Sequence, residues 1–140
     1  MKDKVFVDIN VAIDLLAERI PYYEVALELF SYAESGLINV SFSSLGFSTI
    51  DYLLSKRIGK IKSKLVLKKF KRIVTVLAVD EQIIENALNS DFSDFEDGIQ
   101  YEVAKKNLQE VIVTRNISDY KKSDIPVLLP QDFLKIALQK

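Results

Sequence analysis

Residues 4–17 read Lys4-Val5-Phe6-Val7-Asp8-Ile9-Asn10-Val11-Ala12-Ile13-Asp14-Leu15-Leu16-Ala17, and two periodicities meet inside them. Residues 4–8 are a β-branched and aromatic run that ends in an acid, while the apolar residues of 11–17 recur at helical spacing. The stretch is therefore a strand feeding directly into a helix. An acid at such a junction either caps the helix as an Asx residue or is a ligand held at the end of the strand, and the residues leave both readings open.

The alternation continues along the chain. Pro21 is placed to start a second helix, whose Val25, Ala26, Leu29, Phe30 and Ala33 share one face until Gly36 closes it. Residues 37–42 form a plausible strand, residues 44–54 turn helical, and after a break at Gly59 residues 61–70 form another helix, strongly basic. Residues 73–79 (IVTVLAV) read as a buried strand, followed by a helix capped by Asp80 that carries Ile83, Ile84, Ala87 and Leu88. Asp94 can cap the next helix, with Ile99, Val103 and Ala104 inward; residues 111–114 and 126–129 are short strands, and Pro130 begins a last helix. Strands alternating with helices imply βαβ units, hence an α/β fold: a three-layer α/β/α sandwich around a mostly parallel central sheet.

The 140 residues, 49% of them hydrophobic, can bury one substantial core, so a single domain over residues 1–140 is expected. No linker-like stretch divides it. No apolar run approaches the roughly 20 residues of a membrane helix and the start does not read as a secretory signal, so a cytoplasmic protein without membrane contact is expected. There is no Cys and no His, which removes disulfides, thiolate catalysis, a His general base and every Cys- or His-ligated metal site. A catalytic metal held by side chains would have mainly oxygen ligands, which favours a hard ion such as Mg²⁺ or Mn²⁺.

The net charge of −1 conceals an asymmetry. Nine of the 19 basic residues (Lys56, Arg57, Lys60, Lys62, Lys64, Lys68, Lys69, Lys71, Arg72) lie within residues 52–79, where there is no acid, so that segment carries +9 and the remainder −10.

Ligand crevices of parallel sheets lie beyond the carboxyl ends of the strands, so site residues are sought there. Asp8 closes the first strand, and Asp119 follows the strand ending at Thr114. Asp97, beside Asp94 and Glu96, is in the first turn of the helix between them, where acids also offset a helix dipole. Asp14 and Glu18, one turn apart, read as a solvated face, and no tyrosine is assigned a role.

The run Val5-Phe6-Val7-Asp8-Ile9-Asn10-Val11 resembles the opening of PIN domains, where a strand ends in Asp-x-Asn. Asp97-Gly98-Ile99-Gln100 resembles their third acidic motif, Val113-Thr114-Arg115-Asn116-Ile117-Ser118-Asp119-Tyr120 their fourth, and residues 126–133 their usual ending, in the family's order and spacing. PIN domains are Mg²⁺- or Mn²⁺-dependent nucleases, in bacteria commonly VapC-like toxins that cleave RNA and are silenced by an antitoxin. The resemblance implies Asp8, Asp97 and Asp119 as catalytic, metal-binding acids, Asn10, Asn116, Asp94 and Glu96 in support, and a homodimer. Water would attack the phosphodiester in line, leaving 5′-phosphate and 3′-hydroxyl ends.

One motif departs from the family. Aligning Ser43-Ser44-Leu45-Gly46-Phe47-Ser48-Thr49-Ile50 with the second motif puts Thr49 where an acid is usual. Asp51 cannot take its place, because two residues along a helix is a rotation of about 200°. Thr49 could orient a metal-bound water but supplies no charge, so the implication is weaker metal binding, one ion in place of two, or lost activity. Bacterial relatives with a polar residue there do exist. The acidic pocket would repel RNA, so a cationic surface must hold the flanking phosphates; Lys56, Arg57, Lys60 and Lys68 could form it, with Arg115 a nearer contact. Two other readings stand: a catalytically weak or inactive PIN-like RNA-binding module, favoured by Thr49, and a phosphatase-like enzyme using Asp8 as nucleophile, disfavoured because Asn10 stands where that chemistry wants a second Asp.

Overall fold

A computed structural model describes residues 3–138. The first strand, β1 (Lys4–Val7), is the centre of a five-stranded sheet of order β3-β2-β1-β4-β5 in which every pairing is parallel. The other strands are β2 (Asn39–Ser43), β3 (Thr75–Leu77), β4 (Val111–Val113) and β5 (Val127–Leu128). Seven helices complete the described chain: α1 (Ile9–Leu16), α2 (Tyr23–Glu34), α3 (Ser44–Ile58), α4 (Lys60–Ile73), α5 (Glu81–Leu88), α6 (Phe95–Lys106) and α7 (Pro130–Leu138).

Side chains of β1 alternate between the two faces and so define the layers. Val5 and Val7 pack with buried residues of α1, α2, α3, α4 and α7 on one side. Phe6 packs with Ile112 and with residues of α5 and α6 on the other. This is the three-layer α/β/α arrangement expected from the sequence. β1 lies between β2 and β4, so successive connections leave it in opposite directions, and the crevice that such a switch opens lies at the carboxyl ends of β1 and β4.

Two boundaries differ from the sequence reading. Residues 73–79 were expected as a buried strand, yet Ile73 ends α4, and β3 is a three-residue edge strand with Thr75 and Val76 exposed. Pro21 does not open α2, which begins at Tyr23, but lies in the turn before it. Asp80 and Asp94 cap α5 and α6, accepting the Ile83 and Asp97 N–H groups, and Pro130 opens α7, as expected.

The start of α3 is packed tightly against β2. A Cβ at Gly46 would lie 2.2 Å from the Phe42 ring, which meets Phe47 and Phe70 edge-on. Gly59, at φ +86°, then breaks α3 from α4, and Ser63 donates across the hairpin to Asp51 Oδ1 at 2.7 Å.

Candidate active site

Asp8 fulfils one of its two open readings directly: it caps α1, with Oδ1 accepting the Ile9 N–H at 2.7 Å. Three side chains from other parts of the chain converge on the same carboxylate. Thr114 Oγ1, just past β4, donates to Oδ2 at 2.8 Å, Asn10 Nδ2 approaches Oδ2 at 3.4 Å, and Gln100 Nε2 of α6 approaches Oδ1 at 3.5 Å. Asn10 ties the shell together, donating also to Thr114 Oγ1 at 3.2 Å and accepting the Arg115 N–H at 3.4 Å. Asn116 joins through its main-chain N–H, which donates to Thr114 Oγ1 at 3.1 Å. Asp8 is only 6% exposed, and burial raises its pKa against the opposing effect of these hydrogen bonds.

Around this buried carboxylate lies a set of uncompensated acids. The Asp97 pKa is raised to about 7, first by burial and then by the charges of Asp8, Asp94, Asp119 and Glu96. Glu96 is raised by burial, then by Asp8 and Asp94. Asp119 projects from the exposed 3₁₀ turn Ile117–Tyr120. The next residue, Tyr120, is buried, with its hydroxyl close enough to Asp8 to interact with it but outside good hydrogen-bond geometry, so the phenol has no partner. Burial and then the charges of Asp8 and Asp97 push its pKa upward. Fold and loops thus bring Asp8 and Asp119 each within electrostatic reach of Asp97, although among the described residues no three acids already close round a cation.

The sequence signature of the PIN domain matches residues 4–118, which contain all three acidic segments except Asp119. The chain belongs to the PIN domain family. It is 30% identical over 136 residues to ribonuclease VapC1 of Aquifex aeolicus, an alignment covering 94% of this chain and 93% of that protein. Among solved structures, the DNA-bound VapBC complex of Salmonella typhimurium matches with a TM-score of 0.67 and 19% identity over 91% of this chain and 97% of that one. VapC20 of Mycobacterium tuberculosis, a toxin cleaving the sarcin-ricin loop, matches with a TM-score of 0.63 and 19% identity over 77% and 86%.

The segment aligned by sequence with the second acidic motif brings no free acid with it. Thr49 is partly buried on α3 with its hydroxyl 3.5 Å from the Leu45 carbonyl, and Asp51 faces α4, accepting from Ser63. Lys56, Arg57, Lys60 and Lys68 are exposed along the α3–α4 hairpin, Lys56 lying over the Tyr52 ring. Arg57 donates to the Ala17 carbonyl at the far end of α1, so about 12 Å of helix separates it from Asp8. Arg115 is committed elsewhere: its Nε and one terminal nitrogen bond Asp14 at 2.6 and 3.2 Å, and its guanidinium lies 4.0 Å from the centre of the Tyr22 ring.

Two functional side chains escaped the sequence reading. Asp14, expected on a solvated face, is 1% exposed and anchors Arg115 at the start of the loop that carries Asp119. Gln100 is fully buried between Ser43 and Asp8. A signal existed for both: an acid among the apolar residues of 11–16 and a polar residue beside the inward-facing Ile99 each need a partner.

The residues present fit a hard divalent cation. The donors are carboxylate oxygens, burial and then their mutual repulsion push Asp97 toward neutrality, and the buried Tyr120 hydroxyl beside them has no hydrogen-bond partner.

Proposed function

We propose that this chain is a divalent-metal-dependent endoribonuclease, the toxin of a toxin–antitoxin pair, with Asp8, Asp97 and Asp119 holding the ion. The observation that carries the reading is the clustering of these acids at the sheet's switch point, with Asp97 raised to about 7 by burial and then by its neighbours' charges. The relationship to ribonuclease VapC1 supports RNA as the substrate and the VapBC neighbours support a cognate antitoxin partner, while a homodimer rests on the family resemblance alone. Mg²⁺ and Mn²⁺ suit the all-oxygen donor set equally. We also infer one functional domain over residues 1–140 and a cytoplasmic setting; among the described residues no helix is long and apolar enough to cross a membrane.

When bound, the metal supplies Lewis-acid activation of water and charge stabilisation at the scissile phosphate. The chain's residues prepare the place for it. Thr114, Asn10 and the Ile9 N–H fix the plane of the Asp8 carboxylate, so one acid is already immobile before any ion arrives. Asp97 can hold a proton near neutral pH, which relieves repulsion in the metal-free cluster. Arg115, bound to Asp14, holds the start of the Asp119 loop against α1, and we therefore assign it to positioning and not to a phosphate contact. Arg57, held at the far end of α1, lies too far along the molecule for the scissile phosphate, and the exposed α3–α4 cations are assigned to flanking ones.

The second reading, an RNA-binding module without chemistry, is favoured by Thr49 and by the absence of a preformed cage among the described residues. Incubating the protein with a random-sequence RNA pool in Mn²⁺, Mg²⁺ or EDTA, beside Asp97→Asn, separates the two. Metal-dependent cutting that the substitution abolishes is expected. RNA retained on a filter but left intact in every metal would establish the binding module instead.

A further inference from the structure

A buried line of hydrogen bonds leads from the first turn of α3 to Asp8 through two neutral residues. The Gly46 N–H donates to Ser43 Oγ at 3.3 Å, Ser43 Oγ donates to Gln100 Oε1 at 2.6 Å, and Gln100 Nε2 points to Asp8 Oδ1 at 3.5 Å. Ser43 and Gln100 are both 0% exposed, so neither can exchange these partners for water. The polarity is forced. An ionised Asp8 can only accept, so the amide turns its N–H face to the carboxylate and its carbonyl to Ser43, whose hydroxyl, already accepting from Gly46, donates to Oε1.

We propose that Gln100 is a positioning residue for the nuclease, orienting the Asp8 carboxylate on instruction from the N-terminus of α3 by way of Ser43. This rests on the assignment of Asp8 to the metal site. The line begins in the segment that contains Thr49, so it connects that segment to Asp8 where no second acid is available to do so. The other hydrogen bonds to the Asp8 carboxylate come from α1 and from the end of β4, with the Tyr120 hydroxyl beside them; among the described residues Gln100 is the one that donates to it from α6, the helix that also carries Asp97. It thereby couples the placement of two acids.

The test measures Mn²⁺ binding by titration calorimetry and cleavage of a random-sequence RNA, using the full chain as wild type, Gln100→Leu, Ser43→Ala and the double variant. Loss of an outer partner of a metal ligand weakens metal binding or activity roughly 10–100-fold, and that range is expected for Gln100→Leu, with kcat reduced and KM for RNA within about two-fold. Ser43→Ala should weaken Mn²⁺ binding less. Because Ser43 acts only through Gln100, the double variant should bind Mn²⁺ no more weakly than Gln100→Leu alone. Lost helix capping would lower the melting temperature without producing this pattern. Wild-type Mn²⁺ affinity and kcat in Gln100→Leu, or independent addition of the two effects, overturns the inference. If Gln100→Leu does not fold, Ser43→Ala decides, since it leaves every contact made by Asp8 in place, and wild-type behaviour there overturns the inference too. A wild-type protein that neither binds Mn²⁺ nor cuts RNA would instead refute the metal-site assignment, and the inference with it.

Discussion

Asp97 is where the cost of crowding the acids is concentrated, and its titration has a definite sign. Its pKa in the folded protein is about 7, well above the ordinary carboxylate range that the unfolded chain would show. The folded state therefore binds the proton more tightly, and stability falls as pH rises between the two values. In EDTA, Asp97→Asn should melt above wild type at about pH 8 and converge with it near pH 4, where both carry a neutral group. A gap that ignores pH would mean that the repulsion is screened away. At about pH 8, Mn²⁺ should raise the wild-type melting temperature and leave the variant little changed, because only a ligand that binds the folded state stabilises it. Arg115 carries a different prediction. Asp14 is 1% exposed, so Arg115→Ala leaves a carboxylate buried without its partner, a defect of about 3–5 kcal/mol, which should appear in denaturant melts. If the variant kept its stability and lost RNA binding instead, Arg115 would be a phosphate contact after all.

Among the elements, α3 is the most tightly constrained. An added methyl at Gly46 would collide with the Phe42 ring at 2.2 Å, and that ring is held between Phe47 and Phe70, so it cannot swing aside. Gly46→Ala should destabilise by about 1–3 kcal/mol as an overpacked core does, and because the Gly46 N–H begins the line to Asp8, Mn²⁺ affinity should fall as well. Gly59→Ala meets no atom but must adopt φ +86°, so it should lower the melting temperature and leave Mn²⁺ affinity unaltered. Comparing the two melting curves and metal titrations separates packing at the site from strain in the hairpin. The elements were legible wherever one periodicity dominates a stretch, as in residues 4–8 and then 11–17, and so was the position of Asp8, because a parallel sheet dictates where its ligands lie. Residues 73–79 misled because an edge strand and a central one can carry the same apolar run; which it becomes depends on β2 having one free side, a fact of topology. The partner of Gln100 was illegible for a related reason: Ser43 is 57 residues away and no local pattern records the pairing.

Over the whole molecule the charge is separated into an acidic site and a basic hairpin, with +9 in residues 52–79 against −10 elsewhere. RNA approaching the acids meets repulsion, and its flanking phosphates must gain more from the hairpin than the site costs. Lys60, Lys64 and Lys68 follow one another every four residues along α4, all exposed, and so form one stripe. If phosphates lie along it, each contact releases counterions, and the logarithm of affinity falls with the logarithm of salt by roughly 0.7 per phosphate on a single strand. Replacing the three lysines with Gln should then lower affinity for single-stranded RNA uniformly across sequences and flatten the salt dependence by about two units, while metal binding at the distant acids stays as in wild type. Filter binding of an RNA pool to the Asp97→Asn protein, which removes cleavage from the measurement, over a series of salt concentrations reads both quantities. An unchanged slope would remove the hairpin from the RNA path. Its charge would then be left to serve an acidic protein partner, and the RNA would have to be held from the α5–α6 side of the crevice, where Asp80, Glu81, Glu85 and Asp94 make any strongly salt-dependent grip on phosphate untenable.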